Sequence, residues 1–336
     1  MNGTRFARIA ASGGAAWAVV AIVGAFAFLA SDEFRTVANA TNLSRQMVLL
    51  GLASLAQFVV VLARGVDLSI GASIRLASIV AAIVMDGSDA MFVVGVLSAV
   101  GVSLAVGAVN GLIVAKLKVE AFIATLGTGA VVSGVALYLA RTPTGRSSPW
   151  WEDVYEQTIG PIPTIVVMAG LIGAIMWILL ARTAWGRHLY AVGGDPNVAR
   201  LSGIHVASTL VSAYVLAGLL AGLAGVVLIG GTGIGNSSSA ANLEFQSLAV
   251  VVIGGVSLAG GRGRLVGVLG GVVLFSILGN VFTLLRVGVW YQQLVRGGVI
   301  LVAAALYVEK RAKPELGMDQ APPLSPGVPL PPPTTR

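Results

Sequence analysis

The sequence predicts an all-α, polytopic membrane protein of about ten transmembrane helices, some of them broken or re-entrant. Three observations carry that fold class. Of the 336 residues, 56% are hydrophobic and only 10% charged. A soluble domain carries about 25% charged residues, so this chain cannot clothe a water-facing surface, and an ordinary soluble enzyme is excluded. The apolar runs are long and continuous, about 20 residues each, unlike the short alternating strands of an outer-membrane barrel. Helices satisfy their own backbone groups inside lipid. The 44 glycines let helices touch in lipid, and Gly107/Gly111, Gly218/Gly222 and Gly267/Gly271 have GxxxG spacing.

The first span, 9–30, follows Arg5 and Arg8. Its apolar run of about 20 residues exceeds the core of a signal peptide, so an uncleaved helix is expected. Further spans are expected at 43–63, 68–85, 90–115, 121–140, 163–181, 206–230, 245–260, 265–285 and 291–308. Those at 68–85 and 245–260 are short and interrupted by Gly and Ser, which marks them as broken or re-entrant. Residues 1–312 thus form one transmembrane domain. Residues 313–336, with Pro322, Pro323, Pro326, Pro329 and Pro331–Pro333, read as a disordered tail leaning to polyproline II.

Lys and Arg mark the cytoplasmic side. Fourteen of the 21 basic residues, among them Arg64, Lys116, Lys118, Arg182, Arg187 and Arg200, fall at one set of span ends, and only Arg35, Arg141, Arg146 and Arg286 at the other. Asp32, Glu33, Asp86, Asp89, Glu152, Asp153 and Glu156 lean the opposite way. Both termini, the 182–205 loop and the turn at 261–264 are therefore expected inside, and the tail is a cytoplasmic one. The net charge of +7 is topological, and no nucleic-acid partner is expected; the bilayer is the partner that composition requires.

No cysteine is present, which excludes disulfides, thiolate metal sites and Cys nucleophiles. His188 and His205 are too few for a His-rich metal site. A phosphate-cradling loop needs a Gly-Lys pair, and the chain has none. Gly231, Gly233 and Gly235 lack the strand and helix of a dinucleotide site. No cofactor is expected, and any ATP is used by another chain. Ion coupling needs acids mid-membrane; Asp67 and Glu244 are the candidates, and both sit near expected span ends.

The segment 182–205 is the longest on the inner side. Asp195 is a good N-cap, Pro196 suits the first helical position, Arg200 complements the helix dipole and Gly203 supplies a left-handed cap. A helix of about two turns is expected over 195–203, outside the membrane. It serves either as a plug for a partner's groove or as an interfacial turn anchoring two spans.

This segment resembles the cytoplasmic loop of permease subunits from ribose/galactoside-type ABC importers, which read approximately T-x-x-G-R-x-x-Y-A-x-G-G-N. Four other stretches resemble the same family in order: Leu62–Gly71 (its G-G-I-D-L-S-V-G), Ala121–Thr128 (P-x-F-I-x-T-L-G-T), Ala217–Gly225 (S-G-x-x-A-x-L-A-G) and Val252–Gly263 (I-G-G-x-S-L-x-G-G-x-G). The matches cover roughly residues 45–308. Asp195 stands for the family's Asn, Arg64 for a glycine, Glu120-Ala121 where a proline is common, and Arg75 falls inside a span.

The resemblance implies a permease subunit, not an enzyme, in the bacterial cytoplasmic membrane. It implies a dimer with a second permease copy, an ATPase subunit inside that uses the ATP, and an extracytoplasmic solute-binding protein. The implied cargo is a monosaccharide or related polyol; nucleoside or branched-chain amino acid permeases and an ion-driven transporter are the alternatives. It assigns Gly194, Asp195, Pro196, Asn197, Arg200 and Gly203 to coupling with the ATPase. A sugar path needs hydroxyl-matching groups, because an unpaired polar contact in a dry pore costs about 1–3 kcal/mol. Asp67, Ser69, Asn110, Thr125, Thr128, Gln246, Ser247 and Asn280 are the candidates, each with a competing role as a bond between helices. Asp67 is read either as a cap on the third span, paired with Arg64 or Arg75, or as a substrate contact. Glu244 is read as an acid at a helix start or at the outer mouth. Trp150, Trp151 and Tyr155 are read as interface anchors, or as contacts to sugar or binding protein. Gly65–Gly71 and Gly255–Gly261 share four of seven residues in register, an echo that a Gly/Val/Leu-rich chain also produces by chance.

Overall fold

A computed structural model describes residues 14–298, apart from 289, 293 and 296. The chain runs through α1 (Gly14–Ala30), α2 (Val37–Leu62), α3 (Ile70–Met85), α4 (Phe92–Lys116) and α5 (Ala121–Leu139). A short helix α6 (Pro149–Glu156) and a small antiparallel ladder, β1 (Thr158–Ile159) with β2 (Ile162–Pro163), follow. Then come α7 (Thr164–Arg182), α8 (Ala184–Gly194), α9 (Pro196–Leu201), α10 (Val206–Thr232), α11 (Leu243–Ile253) and α12 (Leu265–Leu284).

Among the described residues six helices are long and apolar enough to cross a membrane: α2, α4, α5, α7, α10 and α12. Three shorter apolar helices, α1, α3 and α11, complete the set. These coincide with nine of the ten expected spans. The tenth, 291–308, lies for the most part outside the described residues, and the tail 313–336 lies wholly outside them. The two spans expected to be broken are the short ones: α3 has 16 residues and α11 has 11.

Helix α10 is the hub and packs against α4, α3 and α2. Its closest partner is α4, and the contact is made by glycine. A Cβ on Gly107 would collide with the Tyr214 carbonyl oxygen, and one on Gly218 with the Ser103 oxygen. Gly111 and Gly222 likewise face the backbones of Val211 and Val100. Both GxxxG pairs therefore serve one interface, where backbones touch because no side chain separates them. Helix α2 is buried from Leu52 to Leu62, whereas α5 and α7 leave large apolar side chains such as Ile123, Leu171 and Ile175 exposed, as lipid-facing helices do.

Residues from the two sets of loops gather at opposite ends. At one end the strap 140–157 ties the helix tips together: Thr144 pairs with Gly235, Ser147 N donates to the Gly233 carbonyl and Gly87 N to that of Arg146. Ser148 caps α6. Asp89, in the turn before α4, accepts from the Ser148 hydroxyl (2.6 Å) and from Trp150 N (2.9 Å), and Trp151 Nε1 donates to the Val226 carbonyl in α10. The Ser148 bond first, then Trp150 N, holds the Asp89 carboxyl below its ordinary value. Leu62, Gly193 and Gly261 meet at the other end.

Gly218→Ala should destabilise the protein by about 1–3 kcal/mol through overpacking, read as a lowered Tm in detergent, while Gly101→Ala, whose Cβ meets nothing within 4 Å, should not lower it. Because its carboxyl is depressed, Asp89 stabilises the strap above the ordinary carboxylate range and loses that hold as pH falls through its folded value. An acid titration of tryptophan fluorescence should show this transition, and Asp89→Asn should remove it.

Candidate functional site

The 182–205 segment folds as two helices, where the sequence predicts one. The additional helix is α8: Thr183 caps it by accepting from Gly186 N at 3.2 Å, and Trp185, Leu189 and Val192 lie on its packed side. Helix α9 is as its sequence dictates. Asp195 accepts from Asn197 N (2.8 Å) and Val198 N (3.2 Å), and Pro196 takes the first helical position. Gly203 is left-handed at φ 80. Its N–H donates to the Arg200 carbonyl, and that of Ile204 to Ala199, the paired bonds of a Schellman cap. Only Ala199 is buried in α9. Val198 is 59% and Leu201 89% exposed, an apolar knob at the loop end of the bundle. Beside it opens a groove of about 630 Å³, whose lining includes Lys118, Arg200, Gly203 and His205.

Helix α8 anchors α9 through its last turn. A Cβ on Gly193 would collide with the Leu62 carbonyl oxygen, and one on Gly261 would stand 2.5 Å from Gly194 N. The Leu62 carbonyl, left over at the end of α2, accepts from Gly261 N at 3.0 Å. Tyr190 donates its hydroxyl to the Gly263 carbonyl at 2.9 Å. Burial pushes that phenol above its usual value, against the pull of Arg264, so it stays a donor. Three separate segments thus meet backbone to backbone where α9 begins.

Between α2 and α3 the chain carries the polar candidates inward. Asp67 accepts from Ser69 N (2.8 Å) and the Ser69 hydroxyl (2.6 Å), and Asn110 Nδ2 donates to Ser69 Oγ (2.8 Å). Thr125 accepts from Leu68 N (3.0 Å) and donates to the carbonyls of Val66 and Ala121. All four are buried. They form one network joining α3, α4 and α5 at the break, where Asn110 Oδ1 and the Tyr214 hydroxyl have no hydrogen-bond partner among the described residues. Thr128 donates to its own helix at Ala124 and Ser247 to its own at Glu244. Gln246 is half-buried in the first turn of α11. Asn280 lies away from the network, in a reciprocal amide pair with Asn39 (2.7 and 3.1 Å).

Three expectations need correction. Asp67 forms no ion pair: among the described residues the pairs are Arg35–Asp32 and Arg45–Glu156, while Arg75 Nε donates to the Ser239 carbonyl and Arg64 is exposed. Asp67 is also not the cap residue itself; that position is Ser69. Glu244 does open a helix, but it is not at the outer mouth, because it packs against Gly71 at the start of α3. Nothing local in the sequence marks how far the preceding loop descends.

Residues 39–304 match the family described as branched-chain amino acid transport system / permease component. The chain is 35% identical over 287 residues to the ribose import permease protein of Escherichia coli (strain K12), covering 84% of this chain and 89% of that one. It is 37% identical to the ribose import permease protein of Bacillus subtilis (strain 168), covering 84% and 88%. It is 34% identical to the D-allose transport system permease protein of Escherichia coli (strain K12), covering 85% and 88%. No solved structure matches the chain.

Removing the α9 cap with Asp195→Ala should cost about 1 kcal/mol of local stability. Hydrogen exchange at the Asn197 and Val198 amides should accelerate about fivefold, and exchange in α10 should stay unchanged.

Proposed function

Because this chain belongs to the branched-chain amino acid transport system / permease component family, we propose that it is the membrane-spanning subunit of an ATP-driven importer for a monosaccharide or related polyol. The observation that carries the cargo class is the similarity over 84% of the chain to permeases named for ribose, with D-allose beside them. The family description also covers branched-chain amino acids; the named relatives favour the sugar.

Hydrolysis belongs to a separate ATPase subunit, since the chain carries no Gly-Lys phosphate loop. In this reading the ATPase meets α9, whose exposed Val198 and Leu201 and neighbouring Arg200 present an apolar knob with a basic rim. The glycine contact at Gly193 and Gly261 carries its displacement to the ends of α2 and α11, because backbone-to-backbone packing has no rotamer to absorb a push. The strapped end, with Trp150 of α6 half-exposed, receives an extracytoplasmic solute-binding protein. A second copy of the chain completes the pathway, and both termini are cytoplasmic by the basic asymmetry of the loops.

The test is uptake into vesicles holding this chain, its ATPase and its binding protein. Labelled D-ribose or D-allose should accumulate with ATP and persist when the proton gradient is collapsed; accumulation that needs the gradient and not ATP would make it a secondary transporter. Arg200→Glu should lower uptake about tenfold and weaken co-purification of the ATPase through charge reversal at the contact, while membrane insertion stays normal. Undiminished uptake would reduce α9 to a linker.

A further inference from the structure

The chain between α10 and α11 does not remain at the strapped end. Gly235 pairs with Thr144 there and lies against α3, where a Cβ would stand 3.1 Å from the Ile79 Cα. Four residues on, the Ser239 carbonyl accepts from Arg75 Nε at 2.9 Å. Glu244 then meets Gly71, whose Cβ would stand 3.2 Å from the Glu244 backbone nitrogen. The contacts at 79, 75 and 71 step down α3 in order. From Met85 to Gly71 the helix descends about 21 Å, and from Glu244 to Ile253 α11 takes about 14 Å to reach the opposite end. Against a hydrocarbon core about 30 Å thick, Glu244 stands a few Å past the middle and 236–242 is irregular chain that descends from the outer half to it.

Irregular backbone at that depth is tolerated only where protein buries it or water wets it. Ser238, Ala241 and Asn242 are exposed, and Asn236, Ser237 and Ser239 are half-buried. Side chains so rich in hydroxyl and amide groups do not face lipid. The carboxyl oxygen Oε2 of Glu244 is buried against Gly71 and has no hydrogen-bond partner among the described residues. Arg75 brings a planar fork of donors to the same wall, and Ser and Asn both donate and accept. The donors of Arg75 and the two-way Ser and Asn groups along one open wall, with the half-buried Glu244 side chain at its foot, match the vicinal hydroxyls of a sugar, each of which donates one bond and accepts others.

We propose that the descending segment 236–244, together with Arg75, is the sugar-recognising wall of the translocation path. This rests on the reading of the chain as a sugar importer and names a wall that composition does not reveal, since it includes none of Asp67, Asn110 and Asn280, which the sequence offers for the path.

The natural absence of cysteine allows a direct test. Ser238→Cys and Asn242→Cys, each the sole cysteine, should react with a membrane-impermeant sulfonated methanethiosulfonate, while Leu171→Cys on the exposed apolar face of α7 should not. Modification at 238 or 242 should lower ATP-dependent uptake of D-ribose at least tenfold without loss of the ATPase from the complex. Glu244→Gln should raise the KM for uptake at least threefold and change the ranking of D-ribose, D-allose and D-galactose, a shift that a purely structural residue would not produce. Unreactive thiols at both positions, or modified protein with normal uptake, would overturn the wall. If Asn242→Cys does not reach the membrane, Ser238→Cys decides alone. If the unmodified complex moves none of the three sugars while both thiols react, the sugar assignment falls with the reading it rests on, and the water-lined segment stands.

Discussion

Inside a bilayer no water is present to satisfy a bare backbone group, and the same need for protein partners shapes the turns that end α2 and α11. At the end of α2, Arg64 adopts a left-handed conformation (φ 69), and the N–H groups of Arg64 and Gly65 return to the carbonyls of Val61 and Val60. At the end of α11 the same turn forms with Gly255 left-handed (φ 82), and Gly255 and Val256 bond back to Val252 and Val251. What these caps leave over is met by another segment: Gly261 N takes the Leu62 carbonyl, and the Thr125 hydroxyl takes Leu68 N. Breaks in helices therefore come with partners, and the partners decide which segments sit together.

Glycine makes those partnerships close enough to be stiff. Between α4 and α10 it brings two full-length helices into backbone contact; around Gly193 and Gly261 it brings three chain segments to one point. A contact without side chains offers no alternative rotamers, so displacement of one partner moves the other. The first contact fixes the frame, because α10 also holds α2 and α3. The second lies where α8 hands over to the exposed knob of α9, outside that frame and mechanically tied to it.

Much of this is legible in the sequence, for reasons that can be named. The spans are long apolar runs, whose signal sums over many residues. The cap of α9 is local chemistry, written in Asp195, Pro196 and Gly203. The pairing of Gly107/Gly111 with Gly218/Gly222 is not legible, because spacing marks a face and not its partner. Nor are the Asn39–Asn280 pair, 241 residues apart, and the Asp67 network, which draws on three helices. Gly65–Gly71 and Gly255–Gly261 match in sequence with Gly65 against Gly255, yet the turns superpose with Arg64 against Gly255. The backbone motif is shared, but one residue out of register with the letters. The depth of Glu244 escapes the sequence because hydropathy reads 245–260 as a span beginning at a membrane face, whereas the descent of 236–242 along α3 is a tertiary fact.

The two short helices acquire a common logic from these contacts. Helix α11 has Glu244 in its first turn beside Gly71 and ends in the turn at Gly254–Val256, a few residues from the Gly261 contact. Helix α3 begins beside the Asp67 network, and the non-helical residues before it lead straight back to Leu62 and Arg64 at that same contact. Each is shorter than a full span because its missing length has become irregular chain: 63–69 between Leu62 and the Asp67 network for α3, and 236–242 between the strapped end and Gly71 for α11. A full-length helix in either place would close the backbone on itself and present only side chains to the interior. Shortened, the pair ties the glycine contact beside α9 to the Gly71–Glu244 contact, through residues 63–69 on one side and through α11 on the other.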